Sequence, residues 1–287
     1  PAYAHPFIFE AAVKAHKHVY CEKPAAPDAY GAVRMIKAAE GVKDLSLVMG
    51  FQVRHASAYD EMIRRIHRGD IGKVVAAQLY YNGGGGSGKK PAVENDEFRI
   101  RHHFQYLALS GGVLNDQAIH VIDVCRAALN ANPLYAFGQS SAEGRRFEYG
   151  DTHTNYQVIY KYPNDVNVVV QQMSVGTTSG GVCARFFGEL GTAEANYSGG
   201  VFITGPNKWD SGNNNALSDA DALKGKSFID SIVSGKYINQ IEAGCNSTLA
   251  AIMGREACYS GKKVTWKDMV SGKQRYGDQP DLKQFLK

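Results

Sequence analysis

His18-Val19-Tyr20-Cys21-Glu22-Lys23-Pro24 is the stretch from which the fold of this chain can be inferred. Its apolar residues predict a short strand over 17–21 that ends just before Lys23. A second apolar run, Leu47-Val48-Met49-Gly50-Phe51, predicts another strand, and helical periodicity predicts a helix before each of the two. This alternation is typical of a parallel, Rossmann-type α/β sheet, whose ligands bind at the carboxyl ends of the strands. Lys23 is expected to point into that crevice.

Beyond about residue 53 the pattern changes to long strands with few helices. Alternating apolar residues predict strands at 154–162, 166–174 and 182–187, and Tyr162-Pro163-Asn164-Asp165 is typical of the turn in an antiparallel hairpin. The predicted fold class is therefore α/β plus α+β. A partial Rossmann-type parallel sheet is followed by a larger domain with an open, mainly antiparallel sheet.

Composition excludes several classes of function. The 32 basic residues are scattered among 28 acidic ones, so the net charge of +4 comes without the basic cluster that nucleic-acid binding requires. No apolar run is long enough to span a membrane. Five cysteines without a C-x-x-C spacing predict free thiols instead of disulfides or a zinc site. Free thiols favour the cytoplasm. Periplasmic export is the alternative, because residues expected before Pro1 could include a signal peptide.

A second group of polar residues lies in Ser110-Gly111-Gly112-Val113-Leu114-Asn115-Asp116-Gln117-Ala118-Ile119-His120. On a helix that begins at Ser110, Asp116 and His120 share one face, opposite a stripe of apolar core residues. An imidazole can remove the proton of a hydroxyl group, and Asp116 or Asp123 can orient its ring. The alternative is a solvated ion pair at i,i+4 spacing.

Together these stretches resemble the Gfo/Idh/MocA family of sugar and polyol oxidoreductases. Glu22-Lys23-Pro24 resembles the family's E-K-P turn, and Gly111, Gly112, Asp116 and His120 satisfy its G-G-x-x-x-D-x-x-x-H pattern. Gly50-Phe51-Gln52-Val53-Arg54 is similar to its G-F-N-x-R strand end, with glutamine replacing asparagine. The stretches 1–5, 246–257 and 261–266 also resemble family segments.

The resemblance implies an NAD(P)-dependent oxidoreductase that acts on a sugar, polyol or glycoside by hydride transfer at a secondary alcohol carbon. Residues 1–53 are then the carboxyl-terminal remnant of a dinucleotide-binding domain. Residues 54–287 form a substrate-binding and oligomerisation domain whose last helices pack back on the first. The implied catalytic residues are Lys23, Asp116 and His120. The implied cofactor contacts are Glu22, Lys23, Pro24, Gln52, Pro1 and His5. The implied substrate contacts are Arg54, His103, Tyr106 and Gln117.

Two of these assignments leave alternatives. Arg54 either closes the site or pins the two domains together by a salt bridge, and the sequence favours neither. The neighbouring His102 and His103 do not predict a metal site, because adjacent histidines rarely converge on one ion.

No G-x-G-x-x-G turn precedes Lys23, so the main phosphate-binding motif for NAD or NADP is absent from this chain. Stretch 83–88 is glycine-rich but opens no helix with core periodicity, which indicates a flexible loop. We expect on the order of 60–100 further residues before Pro1; the alternative is that Pro1 is a true terminus. Residues 1–287 alone are expected to bind NAD(P) weakly, which calorimetric titration can check.

Two other functions remain open from the sequence. One is redox-neutral, NAD-dependent cleavage of glycosides by an enzyme of the same family. The other is a non-catalytic role in sugar binding or assembly, if the chain is naturally this short. The predicted sheet has one apolar face and one mixed face, and in the family the open face forms dimers or tetramers. We therefore expect a homodimer or homotetramer, with a solvated sheet on a monomer as the alternative.

Overall fold

The first two strands and their helices follow the predicted α/β order in the computed structural model, which describes residues 1–175, 180–212 and 214–280. Strand β1 (Val19–Cys21) pairs in parallel with β2 (Leu47–Met49). Helix α1 (His5–Lys14) precedes β1 and α2 (Ala29–Ala39) precedes β2. The Asp28 side chain caps α2 by accepting a 2.8 Å hydrogen bond from the Gly31 amide, as its position before an apolar periodic run predicts.

A sheet of nine strands dominates the rest of the described chain. Its order is β10-β9-β8-β7-β3-β6-β5-β4-β11, and all neighbours are antiparallel except β3 and β6. The strands are β3 (Val74–Gly83), β4 (Tyr135–Ser141), β5 (Asn155–Lys161), β6 (Asn167–Ser174), β7 (Gly181–Gly188), β8 (Thr192–Asn196), β9 (Val201–Thr204), β10 (Trp209–Asp210) and β11 (Val264–Thr265). The fold class and the hairpin of β5 with β6 are confirmed.

Helices cover one face of this sheet. Those that contact its strands are α3 (Ser57–Arg68), α6 (Ile119–Leu129), α8 (Ile241–Ser260) and α9 (Trp266–Val270). The other helices of this part of the chain are α4 (Asp96–Arg101), α5 (Leu107–Ser110) and α7 (Ala220–Val233). Tyr156, Val158 and Tyr160 of β5 are buried beneath the helices that cover the sheet, as the alternation predicts. Across the described residues, no helix combines the length and the apolar character that crossing a membrane requires.

The helix predicted to begin at Ser110 begins elsewhere. Ser110 ends the short helix α5, and Gly111 and Gly112 follow with φ of 80° and 78°, a conformation that breaks a right-handed helix. A π-helical turn, Leu114–Ala118, then leads into α6. Sequence periodicity alone does not distinguish a glycine inside a helix from one that ends it.

The first segment of the chain, residues 1–53, and the second, which follows it, share one hydrophobic core. A single cluster of buried apolar side chains includes Phe9 and Met49 of the first segment and Ile122 and Tyr160 of the second. Helix α8 lies between them, where its Thr248 Oγ1 accepts a 3.1 Å hydrogen bond from the Ala25 amide. The turn after β1 is therefore held directly by the last long helix.

Candidate active site

Lys23 and Asp116 meet at the carboxyl end of β1. The Lys23 Nζ donates a 2.6 Å hydrogen bond to the Asp116 carbonyl oxygen and lies 3.3 Å from Asp116 Oδ1. The peptide bond between Lys23 and Pro24, on which the sequence is silent, is cis. Two residues 93 positions apart, selected on sequence alone, are thus joined in space with both side chains mostly buried.

Buried hydrogen bonds fix the two backbones that carry this pair. The Asn115 side-chain amide donates to the carbonyls of Ala26 (3.0 Å) and Ser110 (3.2 Å). Arg255 Nη1 donates to the carbonyls of Pro27 (2.7 Å) and Gly111 (2.9 Å). Because each side chain bridges the turn after β1 and the Ser110–Gly111 segment, the distance between Lys23 and Asp116 is set by groups that are out of solvent.

His120 lies in an aromatic enclosure beside this pair. Its ring centre is 5.8 Å from that of Tyr197, 6.3 Å from that of Phe51 and 6.4 Å from that of Tyr81. The residue is 5 % exposed, so the prediction that packing leaves His120 outside the core is wrong. The enclosing rings come from β3, from the residue after β8 and from Phe51, two residues after β2, which helical periodicity cannot reveal.

No carboxylate orients the His120 ring in the described part of the chain. Its Nδ1 is buried and has no hydrogen-bond partner there. Asp116 is engaged by Lys23, and Asp123 by Arg54 and Ser247. The expectation that Asp116 or Asp123 holds the imidazole is therefore not met, and neither is the alternative of a solvated pair.

Burial and nearby cations keep His120 uncharged. Burial lowers the pKa of its imidazole to about 3, the Lys23 and Lys224 ammonium groups lower it as well, and the Asp123 carboxylate opposes them. The ring is therefore in the form that can accept a proton, but as a weak base it takes one up only from a strongly acidic group, such as an alcohol from which hydride is leaving.

His120→Gln should change how stability depends on pH. The unfolded chain protonates this histidine near pH 6.5 and the folded chain only at about pH 3, so between these values the unfolded state binds more protons. As pH rises through that window, the unfolding free energy of the wild type should therefore increase relative to that of the variant, by up to about 1.4 kcal/mol per pH unit. Urea unfolding at several pH values measures this; a constant difference would show that His120 titrates normally. In NMR spectra, the His120 ring should not titrate between pH 5 and pH 8, as expected from a pKa of about 3.

Arg54 forms a salt bridge, which is the second of the two roles that the sequence left open for it. Its Nε and Nη2 lie 2.8 Å and 2.5 Å from the two carboxylate oxygens of Asp123, and Ser247 donates to the same carboxylate. Although burial acts in the opposite direction, the Arg54 guanidinium keeps the pKa of Asp123 below its usual value. The bidentate pair ties the end of β2 to α6.

The remaining predicted cofactor contacts surround the Lys23 turn. His5 Nδ1 lies 2.8 Å from the Pro24 carbonyl oxygen, and Pro1 begins the short 3-10 turn that precedes His5. Gln52 donates a 2.7 Å hydrogen bond to the Tyr197 hydroxyl. Glu22 is half-exposed and contacts Lys224.

The predicted substrate contacts do not all lie in the same part of the structure. Gln117 accepts a long, 3.4 Å hydrogen bond from the buried Gln172. The pKa of His103 is lowered chiefly by burial, with the Asp116 carboxylate acting against that effect. Tyr106 instead donates to Glu94 and packs in a separate cluster with Tyr3 and Tyr149.

Sequence reasoning missed Tyr81, Tyr197, Gln172 and Lys224. The inward alternation of β3 and β6 offered a signal for Tyr81 and Gln172, whose positions pair directly. In the described part of the chain, no group of three or more His, Cys, Asp or Glu side chains is arranged to hold a metal ion, and the five cysteines are free and buried.

Comparison with known proteins shows which family part of this chain resembles. Residues 59–194 match the model of the GFO/IDH/MocA C-terminal domain. This part of the chain is therefore similar to the C-terminal domain of the Gfo/Idh/MocA family. It is 31 % identical over 136 residues to 1,5-anhydro-D-fructose reductase of Ensifer adhaerens, which covers 47 % of this chain and 37 % of the relative. It is 26 % identical over 157 residues to myo-inositol 2-dehydrogenase of Thermotoga maritima, which covers 54 % and 42 % respectively. The chain thus spans about two-fifths of the length of these curated relatives.

Several solved structures share the fold of this chain. Levoglucosan dehydrogenase, in a complex with NADH, superposes with a TM-score of 0.76 at 18 % identity, covering 92 % of this chain and 77 % of that one. For myo-inositol 2-dehydrogenase from Lactobacillus plantarum the TM-score is 0.70 at 20 % identity, with 92 % and 78 % covered. At these identities the likeness concerns the fold.

Proposed function

We propose that this protein is an NAD(P)-dependent oxidoreductase of the Gfo/Idh/MocA family that removes hydride from a secondary alcohol carbon of a sugar, polyol or glycoside. The observation that carries the proposal is the contact of Lys23 with Asp116 at the carboxyl end of β1, beside a buried, uncharged His120. The curated relatives are named as a sugar reductase and a polyol dehydrogenase, which supports the same chemistry. In this proposal residues 1–53 belong to the dinucleotide-binding domain and 54–287 to the substrate domain.

The residues at the end of β1 suit the nicotinamide end of such a cofactor. His5, Glu22, Lys23, Pro24 and Gln52 would hold it, with Pro1 at the start of the same wall. The Glu22 carboxylate seats against Gly50, where a Cβ atom would lie 2.7 Å from Glu22 Oε1, so the turn lies flat on the end of β2. When bound, NAD(P) supplies the acceptor of the hydride.

The protein's own groups would handle the proton. His120 accepts the hydroxyl proton as hydride leaves, because its ring is neutral and loss of hydride makes the hydroxyl group strongly acidic. Lys23 donates a hydrogen bond to the same substrate oxygen, and Asp116 orients its amino group. Gln117 and His103 contact the other hydroxyl groups. Arg54 and Tyr106, already engaged by Asp123 and Glu94, position the walls of the site.

Turnover with reduced cofactor as the readout tests the proposal. The protein from its natural source is offered NAD or NADP and a panel of neutral sugars and polyols that begins with myo-inositol and levoglucosan. Accumulation of reduced nicotinamide is expected. Product without such accumulation would favour redox-neutral glycoside cleavage, and sugar binding without any product would favour the non-catalytic role.

We further propose that the open face of the nine-stranded sheet forms a homodimer or homotetramer. Phe137, Ile159 and Val169 lie opposite one another on β4, β5 and β6, and are 47 %, 52 % and 42 % exposed. Such a row of apolar side chains on an uncovered sheet is typical of a subunit interface.

Ile159→Lys and Val169→Lys should shift the protein towards monomer, because a charge in a buried interface is costly. Val233→Lys, at an exposed apolar residue on α7, is the matched control and should leave the mass unchanged. Light scattering at micromolar concentration gives the answer. A monomeric wild type would contradict the proposal.

A further inference from the structure

Helix α7 brings a second lysine to the turn that carries Lys23. Lys224, 202 residues from Glu22 in sequence, places its Nζ 3.5 Å from Glu22 Oε1 and 3.0 Å from Asp221 Oδ1. The side chain is 18 % exposed, and Nζ lies 5.9 Å from the centre of the Tyr20 ring. Burial disfavours its charge, but the Asp221 and Glu22 carboxylates outweigh burial and raise the pKa of Lys224. A fixed positive charge therefore lies beside Glu22.

The helix has other contacts with the first segment on the same face. Phe228, one turn beyond Lys224, packs edge-on to Tyr20 with ring centres 5.8 Å apart. Ser231, almost two turns beyond, lies 2.6 Å from the Ser46 hydroxyl oxygen. Residues spaced by four and seven share one helix face. These contacts do not involve Lys224, so its replacement should leave α7 in place.

Glu22 connects this lysine to the site. Its carboxylate fits against the backbone of Gly50, and Tyr20 donates a 3.4 Å hydrogen bond to Oε1, the oxygen that faces Lys224. Glu22 immediately precedes Lys23, so the seat of this carboxylate constrains the backbone from which Lys23 extends. Without Lys224, only the long Tyr20 hydrogen bond and the packing on Gly50 would hold the half-exposed Glu22 side chain.

The contribution of this ion pair to stability is small. Pairs with one exposed partner contribute roughly 0–1 kcal/mol to folding, so stabilisation does not account for a cation buried at this point. We propose that Lys224 is a positioning residue that holds Glu22 against Gly50 and thereby fixes the Glu22-Lys23-Pro24 turn at the nicotinamide end of the site. The inference rests on the proposed function, because that function assigns the cofactor to this turn.

Lys224→Met tests the positioning role, because it should change the KM for the cofactor and leave kcat nearly unchanged. The KM for the nicotinamide cofactor should rise about tenfold, while kcat stays within about twofold, because the Lys23–Asp116 contacts remain and burial and Lys23, which lower the pKa of His120 more than Lys224 does, are unchanged. Lys224→Arg, which keeps the charge, should restore most of the affinity. Lys226→Met is the matched control: it lies on the same helix, is exposed and pairs with Asp230, so it should change neither constant. An unchanged KM in Lys224→Met would overturn the proposal.

Glu22→Gln shows whether Lys224 acts through Glu22. In that background Lys224→Met should add no further loss of cofactor affinity; additive losses would overturn the proposal. Hydrogen exchange of the Cys21, Glu22 and Lys23 amides, followed without cofactor or substrate, should accelerate equally in both single variants and stay unchanged in Lys226→Met. Unaltered exchange in Lys224→Met would count against the role. If the wild type shows no oxidoreductase turnover, the proposed function fails, and the exchange result alone decides the role of Lys224.

Discussion

Lys23→Met is expected to lower kcat/KM about a thousandfold or more without unfolding the protein. Lys23 is the proposed donor to the reacting oxygen, and positioned proton-handling groups contribute roughly 10²–10⁴-fold to such reactions. The variant removes the amino group that contacts the Asp116 carbonyl and carboxylate. It also removes a cation that lowers the pKa of His120, so that pKa should rise. Steady-state rates with NAD(P) and the preferred sugar measure the first effect, and NMR titration measures the second.

Two companion variants complete this test. Lys37→Met replaces an exposed lysine of α2 and should leave both the rate and the pKa of His120 unchanged. Lys23→Arg keeps the charge but not the shape of the donor, so it should recover only part of the activity. Lys23→Met activity within tenfold of wild type would mean that Lys23 does not touch the reacting oxygen.

Arg255→Met should destabilise the fold by about 3–5 kcal/mol, the range found when one partner of a buried charged network is removed. Arg255 is fully buried, its Nη1 donates to the Pro27 and Gly111 carbonyls, and its Nε and Nη2 donate to Glu256. Methionine fills a similar volume but leaves two buried carbonyls without a donor. Because those carbonyls belong to the segments that bring Lys23 to Asp116, the residual folded protein should also lose activity.

Urea unfolding measures this loss of stability as a lower midpoint. Arg64→Met is the matched control: Arg64 is exposed and pairs with Asp60 and Glu61 on α3, so its removal should cost about 1 kcal/mol or less. If Arg255→Met cost no more than this control, the network between Pro27 and Gly111 would not be what joins the two segments.

Sequence patterns predicted those parts of the fold that local periodicity determines. The parallel pair β1–β2 and the hairpin of β5 with β6 follow from short apolar runs and a Pro-Asn-Asp turn, which act within a few residues. The helix start at Ser110 was wrong because Gly111 and Gly112 adopt positive φ angles where their backbone packs closely against other residues, Gly111 against Asn115 and Arg255 and Gly112 against Leu107 and Tyr156.

The site was predictable to a lesser degree. Lys23 and Asp116 were found through motifs as residues of one site, and the structure adds their direct contact. The burial of His120 depends on Tyr81 and Tyr197, which come from distant strands, and the position of Glu22 depends on Lys224 of α7. Sequence periodicity does not reveal such contacts, because they depend on how distant helices and strands pack together.

Isotope transfer tests the central claim most directly. A neutral sugar or polyol that the protein accepts is deuterated at the reacting secondary alcohol carbon, and the nicotinamide cofactor is recovered after turnover and analysed by mass spectrometry and NMR. The account predicts one deuterium on the nicotinamide ring for every oxidised substrate molecule with the wild type, and almost none in the same time with Lys23→Met. Oxidised product formed without deuterium on the cofactor, or equal transfer by the Lys23→Met variant, would contradict it.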